Sequence, residues 1–341
     1  MIGLKQEAAP RKGYSSGKQT HDPLQHWIAK NKQIVGIFSV LVVLSLYFSL
    51  FSNAFATTGN VLNLLQQLAA NLIVCVAMTL VITTSGIDLS VGSILSLASA
   101  LIAVLLKAGL TSFEAFLVVL LVGAVVGLVN GVVIAYLRIP PFIVTLASMI
   151  YIQGLALLIT GGYSISINGS AWLNAIGQGR FLNIPVAALI ALFVVVFGWV
   201  VLTQTKFGTY IIGIGSNEES VRRAGVAIKK IKMLTYMFSG IAASFAGIVL
   251  ATRLGSGSSN VGTGFEMDVI AAVVLGGTSL FGGIGTMLGS VFGVFLIGVI
   301  DNGLTLMNVS PYIIQIVQGT VLLVAVIVNT YFFSGRGVKR K

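Results

Sequence analysis

Apolar residues in this 341-residue chain come in uninterrupted runs of roughly 18–24 positions, about the length a helix needs to cross ~30 Å of hydrocarbon. These runs predict spanning helices near 34–52, 62–84, 90–107, 113–137, 142–160, 185–203, 233–252, 267–281, 285–306 and 311–333. Ten such runs predict an all-α polytopic membrane protein. Prolines mark their ends: "RIPPF" at 138–142 parts the fourth run from the fifth, since a residue before proline leaves the helical region and proline offers no N–H. Asn183-Ile184-Pro185 opens the sixth run and Ser310-Pro311 the tenth. The segment 161–184, "GGYSISINGSAWLNAIGQGRFLNI", is too polar to span and is expected on the surface, with a short helix at Ala171–Ile176.

Three units follow: a polar, basic tail at 1–33, expected to be disordered, a transmembrane domain at 34–333, and a basic C-terminus at 334–341. The tail lacks the apolar core and small-residue cleavage site of a signal peptide, so the first span is expected to be retained. A soluble domain is excluded by 56% hydrophobic against 9% charged residues and a mean hydropathy of +1.01. The net charge of +11 is distributed unevenly. Of the 20 Lys and Arg, all but Lys107, Arg180 and Arg253 fall in the two termini, at Arg138, or in the loop carrying Lys206, Arg222, Arg223, Lys229, Lys230 and Lys232. By the positive-inside rule both termini are expected in the cytoplasm, and the charge then needs no nucleic-acid partner. Cys75, the one cysteine, excludes an internal disulfide, and the pair His21 and His26 has no metal-site pattern.

Two stretches interrupt the apolar pattern. "TTSGIDLSVGS" at 83–93 places Asp88 behind Gly86 where a helix should continue, and "LGGTSLFGGIGT" at 275–286 separates two further runs. Irregular backbone at membrane depth is tolerated only where protein or a water-filled cavity satisfies it. Asp88 or Ser90 caps the following helix, or Asp88 lies on a permeation path, and the two roles are compatible. Setting Gly92-Ser93 against Gly285-Thr286 aligns the two stretches with little side-chain identity. Paired breaks of this kind point to an internal repeat with a pathway at its interface. Path or gating candidates are therefore Gly86, Asp88 and Ser90 in the first break, and Gly276, Gly277, Thr278, Ser279, Gly282 and Gly283 in the second.

Glycines every four residues, Gly123, Gly127 and Gly131 and again Gly285, Gly289 and Gly293, form flat stripes that let a neighbouring helix approach closely. Asn71, Asn130, Gln153, Asp301, Asn302, Gln315 and Gln318 are polar positions within or at the ends of spans that either bond a neighbouring helix or line a path.

The loop "GIGSNEESVRRAGVAIKKIK" at 213–232 reads as a short capped helix of about two turns. Asn217 is a good N-cap, Glu218 and Glu219 occupy the first turn, Arg222 and Arg223 the last, and Gly225, after Ala224, sits where a left-handed C-terminal residue belongs. It is either a connector folded on the membrane surface or a docking element for a partner. No Walker-type phosphate loop, paired-histidine metal motif or Ser-His-Asp set is present in the sequence, so no catalytic, metal or cofactor residues are assigned. The spans hold few carboxylates, Asp88, Asp268 and Asp301, fewer than an ion-driven carrier ordinarily needs.

Five ordered blocks carry a family resemblance: "TLVITTSGIDLSVGSI" (79–94), "NGVVIAYLRIPPFIVTLASM" (130–149), "TKFGTYIIGIGSNEESVRRAGV" (205–226), "SGIAASFAGIVLATRLGS" (239–256) and "GFEMDVIAAVVLGGTSLFGGIGT" (264–286). The chain resembles the membrane permease subunits of bacterial sugar ABC importers, the group of ribose, galactose, arabinose, xylose and autoinducer-2 permeases, over residues 35–335. That resemblance implies a fold of the vitamin B12-importer type and an inner-membrane location. It also implies a partner ATPase, often with two nucleotide-binding halves in one chain, which would bind the ATP and magnesium. A periplasmic or lipid-anchored sugar-binding protein and a second permease copy complete the implied assembly. The family's ATPase-docking helix maps onto Asn217, Glu218, Glu219, Arg222, Arg223, Ala224, Gly225 and Val226. A branched-chain amino acid or nucleoside permease of the same class, or an ATP-independent carrier, stays open as an alternative.

Overall fold

The structure is a computed structural model and describes residues 32–334. The expectations for 1–31, including the His21 and His26 pair, and for the basic residues of 335–341 lie outside the described residues. The described residues are 77% helical and form twelve helices. In order these are α1 (Lys32–Phe51), α2 (Thr58–Thr83), α3 (Val91–Lys107), α4 (Ser112–Leu137), α5 (Pro141–Thr160) and α6 (Ala171–Gln178). There follow α7 (Val186–Gln204), α8 (Lys206–Arg223), α9 (Ile228–Leu254), α10 (Phe265–Leu275), α11 (Met287–Leu306) and α12 (Pro311–Ser334). Two small antiparallel pairs tie down connections: β1 (Ile165–Ser166) pairs with β4 (Ser256–Gly257), and β2 (Arg180–Phe181) with β3 (Ile184–Pro185).

Seven helices, α1, α2, α4, α5, α7, α9 and α11, are long and apolar enough to cross a membrane, while α3 and the Pro311–Ile327 part of α12 are shorter apolar helices. The protein is thus an all-helical, multi-pass membrane protein. Its surface agrees: Leu50, Leu158 and Phe193 are 81%, 78% and 71% exposed on α1, α5 and α7. Large apolar side chains held outward in such numbers require apolar surroundings. The centre is α2, whose spanning window is 78% buried, against 11% for α1. Around α2 pack α7, α9, α10 and α11.

Helix connections gather at two rims. At one, the turn 138–141, the loop 205–228 and both sequence breaks lie together, and the basic side chains Arg138, Arg222, Lys229, Lys230 and Lys232 line a common cavity there. The opposite rim holds the 161–185 segment, where Ser170 N donates to Ser112 Oγ (2.9 Å) and Gln178 Nε2 donates to the Thr252 carbonyl (2.9 Å).

Several boundaries differ from the hydropathy reading; α2 begins at Thr58 instead of 62 and α9 at Ile228 instead of 233. The eighth run, expected over 267–281, ends as helix at Leu275, because Gly277 (φ +88°) turns the backbone into the left-handed region that stops a helix. Residues 206–216, expected as loop, are helical and begin immediately after α7, with Thr205 Oγ1 accepting from Gly208 N (3.2 Å). The surface helix runs two residues further than expected, to Gln178.

Glycine spacing sets the closest packing. A Cβ on Gly123 would meet Ser244 and the Gly240 carbonyl of α9, one on Gly127 the Tyr236 carbonyl, and one on Gly131 the backbone of Met233. Gly285 lies against Thr83, Gly289 against the Gly276 carbonyl and Gly293 against the Ala272 carbonyl. Replacing Gly127 by Val therefore forces α4 away from α9. Overpacking of this kind costs about 1–3 kcal/mol, so Gly127→Val should lower the melting temperature of detergent-purified protein by several degrees. Gly154, with no neighbour within 4 Å of an added Cβ, is the control, and Gly154→Ala should leave the melting temperature unchanged or slightly raised.

Candidate functional site

The first break begins where α2 ends. Ser85, at φ +62°, turns the chain, its N–H bonding the Ile82 carbonyl (2.9 Å), and Gly86 N donates to the Val81 carbonyl (3.2 Å). Gly86 lies so close to the Tyr236 hydroxyl that no side chain fits between them. The carbonyl of Ile87, freed by the break, accepts from Thr145 Oγ1 (3.3 Å) and Tyr236 OH (3.4 Å). Asp88 is fully buried and closes the turn. Its Oδ1 accepts from Ser90 N (3.0 Å) and Ser90 Oγ (2.5 Å), and its Oδ2 from Ser239 Oγ of α9 (2.7 Å). Asn130 of α4 donates to Ser90 Oγ (3.1 Å), extending the network across four segments. Ser90 occupies the N-cap position of α3, but makes no side-chain cap bond. The Asp88 carboxylate receives its N–H instead.

The second break is held by hydroxyls and one amide. Thr286 Oγ1 donates to the Gly276 carbonyl (2.6 Å), Thr286 N to Thr278 Oγ1 (3.1 Å), and Ser279 N to the Ile284 carbonyl (3.0 Å). Asn329 of α12, 3% exposed, donates to the Thr278 carbonyl (2.9 Å) and accepts from Leu280 N (3.4 Å). Thr278 and Ser279 are buried.

The breaks touch each other. Gly283 N donates to the Thr83 carbonyl (2.9 Å), and Ser85 Oγ donates to the Phe281 carbonyl (2.8 Å). The rim helix α8 completes a three-way contact, since Ser85 Oγ also reaches the Gly215 carbonyl (3.3 Å). A Cβ on Gly215 would meet the Thr83 carbonyl and Gly283 N, while one on Gly282 or Gly283 would meet Ser85 or Ser216. Only glycine at these positions lets three backbones converge.

Beyond Gly215 the helix bends. Asn217 is extended (φ −162°, ψ 94°) and its Oδ1 accepts from Ser220 N (3.0 Å), capping a short helical segment that runs to Arg223. Gly225, at φ +77°, ends it, with Gly225 N bonding the Arg222 carbonyl (3.0 Å) and Val226 N the Val221 carbonyl (3.4 Å). Glu219 pairs with Arg222 (2.9 Å) and Arg223 (3.2 Å), while Glu218 reaches Lys232 at the start of α9 (2.7 Å). Exposed pairs contribute below ~1 kcal/mol each, so they orient more than they stabilise. Arg222 and Arg223 stay 59% and 80% exposed. A cavity of about 890 Å³ opens beside this segment, lined by Thr84, Ser85, Arg138, Asn217, Glu218 and Lys232 among others.

The remaining polar positions divide in two. Asn302 exchanges two amide bonds with Asn60 (2.8 and 3.0 Å) and Gln153 Nε2 donates to the Ser259 carbonyl (2.8 Å), which is helix-to-neighbour bonding. Asn71, Asp301, Gln315 and Gln318 instead line cavities near the opposite rim. Sequence reasoning missed Ser85, Gly215, Tyr236, Ser239 and Asn329. Asn329 carried a usable signal, a lone amide within an apolar run.

A membrane-embedded helical bundle with two internally satisfied breaks and a capped basic helix seated on both is the architecture of a transport subunit. The chain belongs to the family described as "Branched-chain amino acid transport system / permease component", whose model matches residues 60–326. Among its relatives, the ribose import permease protein RbsC of Escherichia coli (strain K12) is 40% identical over 306 residues, covering 89% of this chain and 94% of that protein. RbsC of Bacillus subtilis (strain 168) is 40% identical over 298 residues (87% and 92%). The galactose/methyl galactoside import permease protein MglC of Salmonella typhimurium (strain LT2) is 36% identical over 323 residues (88% and 94%). No solved structure matches the chain.

Asp88→Ala would leave the Ser90 and Ser239 hydroxyls and the Ser90 N–H without their acceptor. Buried groups orphaned in this way cost about 1–3 kcal/mol each before relaxation, so a loss of about 3 kcal/mol, read as a lowered melting temperature in detergent, is expected. Asp88→Asn keeps one acceptor oxygen and should lose less than half as much.

Proposed function

We propose that this chain is the membrane permease of an ATP-binding-cassette importer that carries a monosaccharide, a ribose-like pentose or a hexose. The observation that carries the reading is the junction of α8 with both breaks at Ser85, Gly215, Phe281 and Gly283. A force applied to the exposed 217–225 segment would reach two membrane helix pairs at once. The importer names of the ribose and galactose relatives favour a sugar over the amino acid in the family description, because those relatives cover nearly the whole chain.

In this reading the chain spans the membrane ten times, in the manner of the vitamin B12-type importers. The three crossings beyond the seven long apolar helices are α3, α10 with the second break, and α12. The basic rim then faces the cytoplasm with both termini, in the inner membrane, as the positive-inside rule requires. A separate ATPase with tandem nucleotide-binding halves holds ATP and magnesium and docks on Asn217 to Val226. A periplasmic or lipid-anchored binding protein delivers the sugar at the opposite rim, and a second copy of the chain completes the pathway. This subunit then performs no chemistry of its own. ATP-driven closure of the ATPase pushes the capped segment, and the Ser85–Gly215–Phe281 junction passes that push to α2, α3, α10 and α11. Gly86, Asp88, Ser90 and the 276–283 residues act as the gating elements.

Arg222→Glu combined with Arg223→Glu inverts the charge of the docking segment without touching the bundle. Uptake of radiolabelled D-ribose or D-galactose by cells expressing the variant should fall at least about tenfold, in line with lost buried or interfacial charge pairing. The ATPase recovered with the tagged chain in mild detergent should fall in parallel. Normal ATPase recovery from the variant refutes the docking assignment, and wild-type uptake of leucine in place of either sugar refutes the substrate class.

A further inference from the structure

Near the rim opposite the basic one, two cavities of about 300 and 310 Å³ meet at Asp268, Ile297 and Gln318. Both fall at the lower end of the ~300–1,000 Å³ range of small-molecule pockets. Their polar lining comes from five helices: Gln67 and Asn71 on α2, Arg253 on α9, Asp268 on α10 and Asp301 on α11 in the first, with Gln315 and Gln318 on α12 closing the second. Leu254 and Gly264 mark the rim end. Val294 lies twelve residues inward from the end of α11, about 18 Å at 1.5 Å per residue, more than halfway through a ~30 Å apolar layer.

The chemistry of the lining is mixed. Carboxylates only accept, the guanidinium only donates and the amides do both. Among the described residues the one hydrogen bond between these side chains is from Gln67 Nε2 to Asp301 Oδ2 (3.3 Å). Asn71, Arg253, Asp268 and Gln318 make no side-chain hydrogen bond to other described residues, so their capacity faces the cavity. No group of three His, Cys, Asp or Glu suited to a metal occurs among the described residues. Phe265, Ile297 and Leu250 add an apolar wall. A neutral polyhydroxylated ring, whose hydroxyls both donate and accept and whose C–H faces are apolar, satisfies this set. A zwitterion would engage Arg253 and one aspartate, and leave the amides unmatched.

We infer that the double cavity around Asp268, Asp301, Gln67 and Gln318 is a transit site for a monosaccharide, entered from the rim opposite the basic one. This rests on the permease reading above. The site is also placed to communicate with the second break: one turn inward from Val294, Ser290 Oγ accepts from Thr79 Oγ1 (2.9 Å) and lies 3.3 Å from Thr278 Oγ1 within that break. An occupant that shifts α10 against α11 therefore moves the segment that α8 also contacts.

The chain's only cysteine, Cys75, is buried, which permits single-cysteine labelling. Gln318→Cys and Asn71→Cys, on two different helices, are treated in whole cells with a membrane-impermeant methanethiosulfonate, with and without D-ribose, D-galactose or L-leucine. Tyr163→Cys, on the exposed 161–170 segment, is the reference. Both cavity cysteines should be labelled, and one of the sugars at tenfold its apparent Kd should slow labelling about tenfold by mass action. Tyr163→Cys should be labelled at a rate independent of sugar. Adding Asp268→Ala to Gln318→Cys should abolish protection while the thiol stays reactive. Cavity cysteines that do not react, or that react unprotected by either sugar in cells whose wild-type chain imports it, overturn the transit site and leave the permease reading standing. Protection by L-leucine with no sugar uptake overturns both.

Discussion

A helix broken inside a membrane must have its freed backbone groups satisfied by protein, and this bundle meets that requirement by setting its two breaks against one another. Thr83 carbonyl to Gly283 N and Phe281 carbonyl to Ser85 Oγ are the joining bonds. The Thr83 and Phe281 carbonyls are satisfied across this junction, and the other freed groups within each break or by α5, α9 and α12. The glycines at 215, 282 and 283 follow from that constraint, since a methyl group at any of them would separate the backbones beyond hydrogen-bond range. So does the burial of α2, which ends in one break and packs beside α10 and α11, the helices flanking the other.

In the importer proposed above, this arrangement would link local geometry to motion. The capped segment after Asn217 is tied to α9 by Glu218 and Lys232 and to the breaks through Gly215. Exposed ion pairs on its outer face contribute little, so its position is set by the backbone junction beneath. A rigid, short helix resting on hydrogen-bonded irregular segments transmits displacement better than a loop would. The stiff elements are the long helices and the compliant ones lie between them.

Much of this was legible in the sequence, and the illegible parts have physical reasons. The long apolar runs and the capped helix with its Asn217 and Gly225 ends were readable because hydropathy and capping are local properties. The 206–216 helix was not, because its composition is neither apolar nor strongly amphipathic and it is held by contact with the breaks. The eighth run was read too long because hydropathy does not register a positive φ at Gly277. The partners of Asp88 and of the second break, Ser239 and Asn329, sit 151 and about 50 residues away in sequence, and no spacing rule connects them. The role of the 215–283 glycines emerges only when three distant segments are seen to converge.

The two helix–break–helix units also explain why alignment finds little identity between them. Both α2–break–α3 and α10–break–α11 run to the basic rim and back, and both must satisfy freed peptide groups, but they do so with different chemistry. In the first, an acidic side chain inside the break gathers N–H and O–H donors from α3 and α9, and hydroxyls from α5 and α9 cover the Ile87 carbonyl. In the second, hydroxyls within the break and the amide of Asn329, supplied by α12, perform the equivalent task. An amide both donates and accepts, so one residue serves a carbonyl and an N–H together, and no carboxylate is needed where Phe281 stands opposite Asp88. Phe281 instead supplies its carbonyl to Ser85, which an aspartate there could equally do through its backbone. The pairing of the breaks is therefore written in backbone geometry and glycine positions, and the side chains are free to differ.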